Sequence, residues 1–144
     1  MKVLANDGIS KSGIEALENG GFEVITTTVA QEQLINYINE KHIDVLLVRS
    51  ATQVRKDIID GCPSIKIIGR GGVGMDNIDV EYARSKGIHV INTPAASSQS
   101  VAELVFAHLF GGVRFLHDSN RSMPLDGDTQ FKTLKKNYAK LANI

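Results

Sequence analysis

Three stretches decide the fold of this chain: KVLAND at residues 2 to 7, DVLLVRS at 44 to 50 and IKIIGRGGVGMDN at 65 to 77. Each contains a run of aliphatic residues, which is typical of a strand in a parallel sheet. The second run leads into Arg49, and the third leads into Arg70 and a glycine loop. Because the carboxyl ends of parallel strands meet at one edge of a sheet, the sequence predicts an anion-binding site at that edge.

Strand and helix patterns alternate along the first 95 residues or so. The predicted strands cover 2 to 6, 22 to 28, 45 to 48, 65 to 68 and 88 to 92, and the predicted helices cover 10 to 19, 31 to 41, 56 to 61 and 80 to 86. This alternation is typical of an α/β protein with a doubly wound parallel sheet. We expect the flavodoxin-like strand order 2-1-3-4-5, although alternation alone leaves other orders open.

Arg49 and Arg70 stand at the ends of two predicted strands, where permanent positive charge would face one crevice. Two interpretations follow from the residues. Either each arginine pairs with a surface carboxylate such as Asp76 or Asp79, or the two together bind an anionic ligand. The adjoining glycine loop favours the second interpretation.

The loop Gly71-Gly72-Val73-Gly74 resembles a dinucleotide-binding loop only in part. It supplies two glycines of that fingerprint, and residues 77 to 79 then form a turn instead of opening a long helix. We expect an anion nest, in which consecutive backbone N–H groups point at a carboxylate. A tight turn with positive φ is a structural reason for the same glycines.

Composition excludes several classes of function. The 144 residues carry a formal net charge of zero, which argues against nucleic-acid binding because phosphate contacts need clustered Lys and Arg. The single cysteine, Cys62, allows no internal disulfide and is typical of a reducing, cytoplasmic location. No apolar stretch reaches the roughly 20 residues that span a bilayer.

A strongly apolar helix is predicted over residues 100 to 116, interrupted by Gly111-Gly112. Ser100 and Glu103 match a capping box, which would begin the helix at Ser100. A helix that is apolar on almost every face must be covered by other parts of the protein or by another chain. We therefore expect a homodimer built on residues 100 to 116.

Four motifs together carry a resemblance to a known family: RSAT at 49 to 52, IIGRGGVGMDNID at 67 to 79, KGIHVINTP at 86 to 94 and SVAELVFAHLF at 100 to 110. In this order they resemble the amino-terminal part of the D-2-hydroxyacid dehydrogenases, and most closely those members that convert 3-phosphoglycerate to 3-phosphohydroxypyruvate in serine biosynthesis. The resemblance implies a substrate-binding domain at 1 to 96. Residues 97 to 144 would then form a crossover helix and the start of an NAD-binding domain.

The resemblance also implies roles for individual residues. Arg49 matches the side chain that binds the substrate phosphate, and Ser50 lies beside it. Arg70 matches an arginine of the same pocket. Gly72 and Val73 match the loop whose backbone amides hold the substrate carboxylate, and Val73 also lies near the nicotinamide of NAD.

Two further positions are matched less closely. Lys135 and Lys136 stand where phosphoglycerate enzymes often carry a basic pair that reaches the phosphate. Ser97 stands where many relatives carry Asn. The sequence leaves open whether the substrate is phosphorylated or a plainer 2-keto acid, and whether the cofactor is NAD or NADP, although Arg49 together with Lys135 favours a phosphorylated substrate.

The family's nucleotide loop, catalytic arginine and proton-transferring histidine are not matched in this sequence. We therefore expect a truncated enzyme that is inactive by itself. The rival classes are a flavodoxin-like receiver or flavin carrier and a scaffold module. A receiver needs Asp where Arg49 stands, and a flavin carrier needs a hydroxyl-rich loop where Asp7 stands. A scaffold role stays open.

Overall fold

The computed structural model describes residues 1–140, and the chain divides into two compact units with the boundary between Ala96 and Ser97. In the first unit the strands are β1 (Lys2–Ala5), β2 (Glu23–Ile25), β3 (Val45–Val48), β4 (Ile67–Arg70) and β5 (His89–Asn92). Its helices are α1 (Lys11–Asn19), α2 (Leu34–Lys41), α3 (Lys56–Gly61) and α4 (Val80–Ser85), and a 3-10 helix at Gln31–Gln33 precedes α2.

The five strands form one parallel sheet in the order β2-β1-β3-β4-β5, which confirms the expected flavodoxin-like order. Strand β3 lies in the middle, and three of its four residues are buried. Leu46 and Ile68 pair across β3 and β4, and both are fully buried. The aliphatic run in β3 therefore reflects its central place in the sheet.

Two strand boundaries differ from the predictions. Strand β4 covers Ile67–Arg70 and not 65 to 68, because its pairing with β3 continues until Val48 lies opposite Arg70. Strand β2 is limited to Glu23–Ile25, since this edge strand pairs only with β1, over three residues. The first shift matters for the site, because Arg70 is the last residue of β4 and its backbone direction is set by the sheet.

The second unit is helical, with α5 at Ser98–Val113 and α6 at Leu116–Tyr138. The predicted capping box is wrong. The backbone is already helical at Ser98 and Gln99, so Ser100 lies inside the helix and does not begin it. The N-cap is Ser97, which makes no side-chain cap bond. The carboxylate of Glu103 instead accepts a hydrogen bond from Gln99 Nε2 at 2.8 Å.

Helix α5 runs through Gly111-Gly112, so the predicted interruption there is also wrong, and the chain turns only at Phe115, whose φ is 54°. Helix α6 contains Pro124 and has a non-helical backbone at Gln130. Beyond that point it doubles back, which brings the Tyr138 hydroxyl to 2.7 Å from Ser122 Oγ. No helix within residues 1–140 has the length and apolar character needed to cross a bilayer.

Candidate functional site

A cleft of about 780 Å³ lies at the carboxyl ends of four neighbouring strands of the first unit. Its floor is apolar, formed by Leu47, Gly69 and Ile91. Around this floor stand the residues that follow the strands: Asp7 to Ser10 after β1, Arg49 after β3, Arg70 and Gly71 at the end of β4, and Asn92 and Thr93 at the end of β5. The predicted meeting of Arg49 and Arg70 at one sheet edge is what the structure shows.

Neither arginine of the cleft forms an ion pair with any carboxylate of the described chain. Asp79, one of the two candidate partners, pairs with Arg55 at 3.0 Å. The Nε atom of Arg70 is buried and has no hydrogen-bond partner among residues 1–140. Both arginines line the cleft, and within residues 1–140 neither has its charge compensated by a salt bridge, which favours an anionic ligand.

Asp7 is the acidic residue of the cleft, and its carboxylate is fully engaged. It accepts hydrogen bonds from the amides of Arg49 and Thr52, at 2.6 and 3.1 Å, and from the Thr52 hydroxyl at 2.5 Å. Partial burial raises the pKa of Asp7, but the hydrogen bonds from Thr52 and from the backbone outweigh burial and hold the pKa below its usual value. Asp7 is thus an ionised residue that shapes the cleft.

The glycine loop uses some of its amides internally. The Gly71 amide donates to Val48 O at 2.9 Å and the Gly72 amide to Arg70 O at 3.0 Å. The predicted nest is therefore narrower than four residues, because only the amides of Val73 and Gly74 lack a partner within the described chain.

The end of β5 holds this loop in place. Thr93 N donates to Gly72 O at 3.2 Å, and Asn92 Nδ2 donates to Val73 O at 2.7 Å. Val73 itself is 51% exposed. Gly72 and Val73 adjoin the cleft residues in the chain but are not among the residues that line it.

The remaining predicted site residues lie elsewhere. Ser50 is exposed and follows Arg49 without lining the cleft. Ser97 and Lys135 belong to the second unit, Ser97 as the N-cap of α5 and Lys135 in α6. There the ammonium group of Lys135 lies 5.9 Å from the centre of the Phe131 ring.

Sequence reasoning missed the structural roles of Asp7, Thr52 and Asn77, whose side chains hold the turn after β3. The Asn77 side chain is buried, and its amide donates to backbone carbonyls of the turn that begins at Arg49. The signal that could have found these residues is positional, since Asp7 lies two residues after the end of β1 and Thr52 closes the turn after β3. Their mutual contacts join residues more than 20 positions apart in the chain, and no local pattern reports such contacts.

The described residues do not fit the pyrophosphate of a dinucleotide. After the glycine loop the chain passes through a turn at residues 75 to 79 before α4, and α4 has only six residues. A pyrophosphate site needs a glycine turn that opens directly into a helix whose N-terminal amides face the phosphates. The cleft suits a small organic anion instead. No cluster of metal-binding side chains is present among the described residues.

Comparison with known proteins extends this picture. The family described as D-isomer specific 2-hydroxyacid dehydrogenase, catalytic domain, matches residues 3–138. A D-3-phosphoglycerate dehydrogenase of Methanocaldococcus jannaschii is 42% identical over 123 residues, which are 85% of this chain and 23% of that protein. A hydroxypyruvate reductase of Thermotoga maritima is 41% identical over 135 residues, 93% of this chain and 43% of that protein.

Solved structures agree with the sequence relatives. The NAD⁺-bound 3-phosphoglycerate dehydrogenase of Entamoeba histolytica is 33% identical with a TM-score of 0.63, covering 79% of this chain and 39% of that one. A Thermus thermophilus protein at 24% identity and TM-score 0.73, covering 88% of this chain and 41% of that one, shares the fold. This chain spans about a quarter to two fifths of the length of its curated and structural relatives. With a parallel sheet, an arginine-lined cleft and a match over nearly its whole length, the chain belongs to the D-2-hydroxyacid dehydrogenase family, a family of oxidoreductases with NAD-bound members among its solved structures.

Proposed function

We propose that this chain is the substrate-binding part of an NAD-dependent dehydrogenase that converts 3-phosphoglycerate to 3-phosphohydroxypyruvate. The observation that carries the proposal is the pair of arginines, Arg49 and Arg70, which share one cleft without forming ion pairs. The substrate carries two anionic groups, a phosphate and a carboxylate, and a guanidinium group can bind either through paired hydrogen bonds. Two such groups in one cleft match the two anionic groups of this substrate.

Each end of the substrate has its own residues in this proposal. Arg49 binds the phosphate, with the exposed Ser50 hydroxyl beside it. Arg70 and the free amides of Val73 and Gly74 bind the carboxylate. Gly72 contributes through its lack of a side chain, which leaves room for Arg70.

The other proposed roles rest on the resemblance. The exposed Val73 side chain is where the nicotinamide of NAD would meet the substrate. The predicted roles of Lys135, as a positive charge for the phosphate, and of Ser97, as a polar group for the substrate, rest on the resemblance alone, because both residues belong to the second unit. The described residues offer no pyrophosphate turn, so we propose that this chain alone neither binds NAD tightly nor turns over substrate.

A second candidate substrate is an unphosphorylated 2-keto acid. The relative from Thermotoga maritima, a hydroxypyruvate reductase, covers more of this chain than the phosphoglycerate enzymes do. A substrate with a single carboxylate would use Arg70 and the loop amides and would leave Arg49 without a partner. A third candidate, a scaffold module, would need no anion at all.

The binding of 3-phosphoglycerate and of glycerate to the purified chain separates these candidates. We expect 3-phosphoglycerate to bind more tightly, and Arg49→Ala to weaken it by roughly ten- to a hundred-fold, since a charge-assisted contact contributes about 1.5 to 3 kcal/mol. Arg84→Ala is the matched control, because Arg84 is exposed and pairs with Glu81 away from the cleft. Equal affinity of Arg49→Ala for 3-phosphoglycerate would contradict the phosphate assignment, and no binding of either acid would favour the scaffold.

Two proposals concern assembly and location. Six large apolar side chains of α5 are each about half exposed: Val101, Leu104, Val105, Phe106, Leu109 and Phe110. We propose that a second copy of the chain covers them in a homodimer, because apolar surface left in water is unfavourable by about 25 cal/mol per Å². We also propose a cytoplasmic location, which accords with a single cysteine, Cys62, that is buried and free.

A further inference from the structure

The turn from Arg49 to Thr52 is held by two side chains that lie outside it. Asp7 Oδ2 accepts the amide hydrogens of Arg49 and Thr52 at 2.6 and 3.1 Å. Asn77 Nδ2 donates to the carbonyl oxygens of the same two residues at 2.8 and 2.7 Å. At both ends of the turn, in Arg49 and in Thr52, the backbone N–H and C=O groups are thus each bonded to a side chain from outside the turn.

The pattern of donors and acceptors around this turn has a defined direction. Asn6 Nδ2 donates to Thr52 Oγ1 at 2.9 Å, and Thr52 Oγ1 donates to Asp7 Oδ1, because an ionised carboxylate can only accept. Asn6, Thr52 and Asn77 are each at most 4% exposed. Asn77 Oδ1 is buried without a partner among residues 1–140, but the other polar atoms of these three side chains named here are paired, and buried pairing of this kind restricts a backbone to one conformation.

Asn77 also connects the turn to the chain that follows the glycine loop. The backbone carbonyl of Asn77 accepts a hydrogen bond from Val54 N at 2.8 Å, and Val54 forms a parallel bridge with Ile78. The segment that carries Arg49 is therefore attached on one side to the end of β1, through Asp7, and on the other side to the segment after β4, through Asn77.

We propose that Asp7 and Asn77 are positioning residues for Arg49, which fix the direction in which its side chain enters the cleft. This inference rests on the proposed function of Arg49 as an anion-binding residue. A displacement of about 1 Å in a binding group lowers rates or affinity by up to about a hundred-fold. A loose turn would therefore weaken the ligand even with Arg49 intact.

The decisive variant is Asp7→Ala, because the two possible effects have opposite signs. Loss of a negative charge from the cleft by itself strengthens anion binding, whereas displacement of the Arg49 side chain weakens it. We expect the affinity for 3-phosphoglycerate to fall by roughly ten-fold or more, and the Arg49 and Thr52 amides to lose protection from hydrogen exchange. Unchanged or stronger binding together with retained protection would overturn the proposal.

The neutral variant Asn77→Ala tests the other side of the turn and should show the same two losses. Asn39→Ala is its matched control, since Asn39 Nδ2 also donates to a backbone carbonyl, Gly61 O, at 2.8 Å, but away from the cleft. If Asn77→Ala does not fold, Asp7→Ala decides by the same measurements, because Asp7 is only partly buried.

A double variant shows whether the effect passes through Arg49. In the Arg49→Ala background, Asp7→Ala should cause no further loss of affinity, because there is no guanidinium group left to position. If Asp7→Ala lowers the affinity in the Arg49→Ala background by the same factor as in the unsubstituted chain, the proposal is overturned. If Arg49→Ala binds 3-phosphoglycerate as well as the unsubstituted chain does, the proposed function fails by itself, while exchange at Arg49 and Thr52 still tests whether Asp7 and Asn77 hold the turn.

Discussion

The guanidinium group of Arg70 occupies the space in which a side chain at residue 72 would stand. A Cβ atom built on Gly72 overlaps Nη1 of Arg70 and also approaches its Cζ at 2.9 Å. The backbone of Gly72 has a φ of 155°, which L side chains rarely adopt. Glycine at this position therefore serves two needs, the conformation of the loop and the placement of the Arg70 charge.

Gly72→Ala should displace the Arg70 guanidinium and weaken the binding of 3-phosphoglycerate by about ten-fold, with a loss of stability of about 1 kcal/mol or more from backbone strain. Calorimetric titration and thermal unfolding measure the two effects. Gly111→Ala is the matched control, because no atom lies within 4 Å of a Cβ there and the residue is helical. That control should leave affinity unchanged and raise stability slightly. Full affinity in Gly72→Ala would contradict the role of this glycine.

Acid should weaken the hold of Asp7 on the Arg49 turn. Because the pKa of Asp7 is lower in the folded chain, its stabilising effect is present above the unfolded value of about 3.9 and is lost as the pH falls through the folded value. The free energy of unfolding should therefore fall more steeply below about pH 4 in the unsubstituted chain than in Asp7→Asn.

Other carboxylates do not obscure this comparison. The pKa of Asp44 is lowered by Lys66 and that of Asp60 by Lys86, but both groups are present in the two proteins and their contributions cancel in the difference. Urea unfolding at several pH values supplies the curves. Parallel curves for the two proteins would show that Asp7 does not titrate with folding.

Calorimetry with NAD tests the interpretation of the glycine loop. We expect no binding in the micromolar range, because the turn at residues 75 to 79 separates the loop from the N-terminus of α4, and a pyrophosphate site needs the loop to open directly into a helix. 3-Phosphoglycerate serves as the positive control for a folded cleft. Micromolar NAD affinity would assign the loop at residues 71 to 74 to the dinucleotide after all.

Leu109→Glu should dissociate the proposed homodimer, because it places a charge among the exposed apolar side chains of α5. Leu109 is 47% exposed, whereas Leu125 on α6 is 83% exposed and serves as the matched control. Sedimentation velocity at tens of micromolar should show a dimer for the unsubstituted chain and for Leu125→Glu, and a monomer for Leu109→Glu. A monomer in all three would contradict the assembly.

The sequence by itself determined the class of fold and the edge of the sheet at which the arginine-lined cleft lies. Aliphatic runs of four or five residues between helical patterns predict parallel strands, and all parallel strands end at one sheet edge, so Arg49 and Arg70 could be placed together before any coordinates. The strand order and the meeting of the two arginines at one edge are confirmed, because each depends on a local pattern and one general rule of topology. Strand β3 is an example, since its apolar residues alone indicated a central position.

Only the tertiary structure decided which atoms meet. Asp7 and Thr52 are 45 positions apart, and Asn77 and Thr52 are 25 apart, so no local pattern could report their hydrogen bonds. The Gly72 amide donates a hydrogen bond to Arg70 O within the loop and so is not available to a ligand. The predicted capping box at Ser100 is wrong because the helix begins earlier, at Ser98. Whether a donor and an acceptor pair depends on differences in distance of a few tenths of an ångström. These distances are set by the packing of the whole sheet and not by the identity of neighbouring residues.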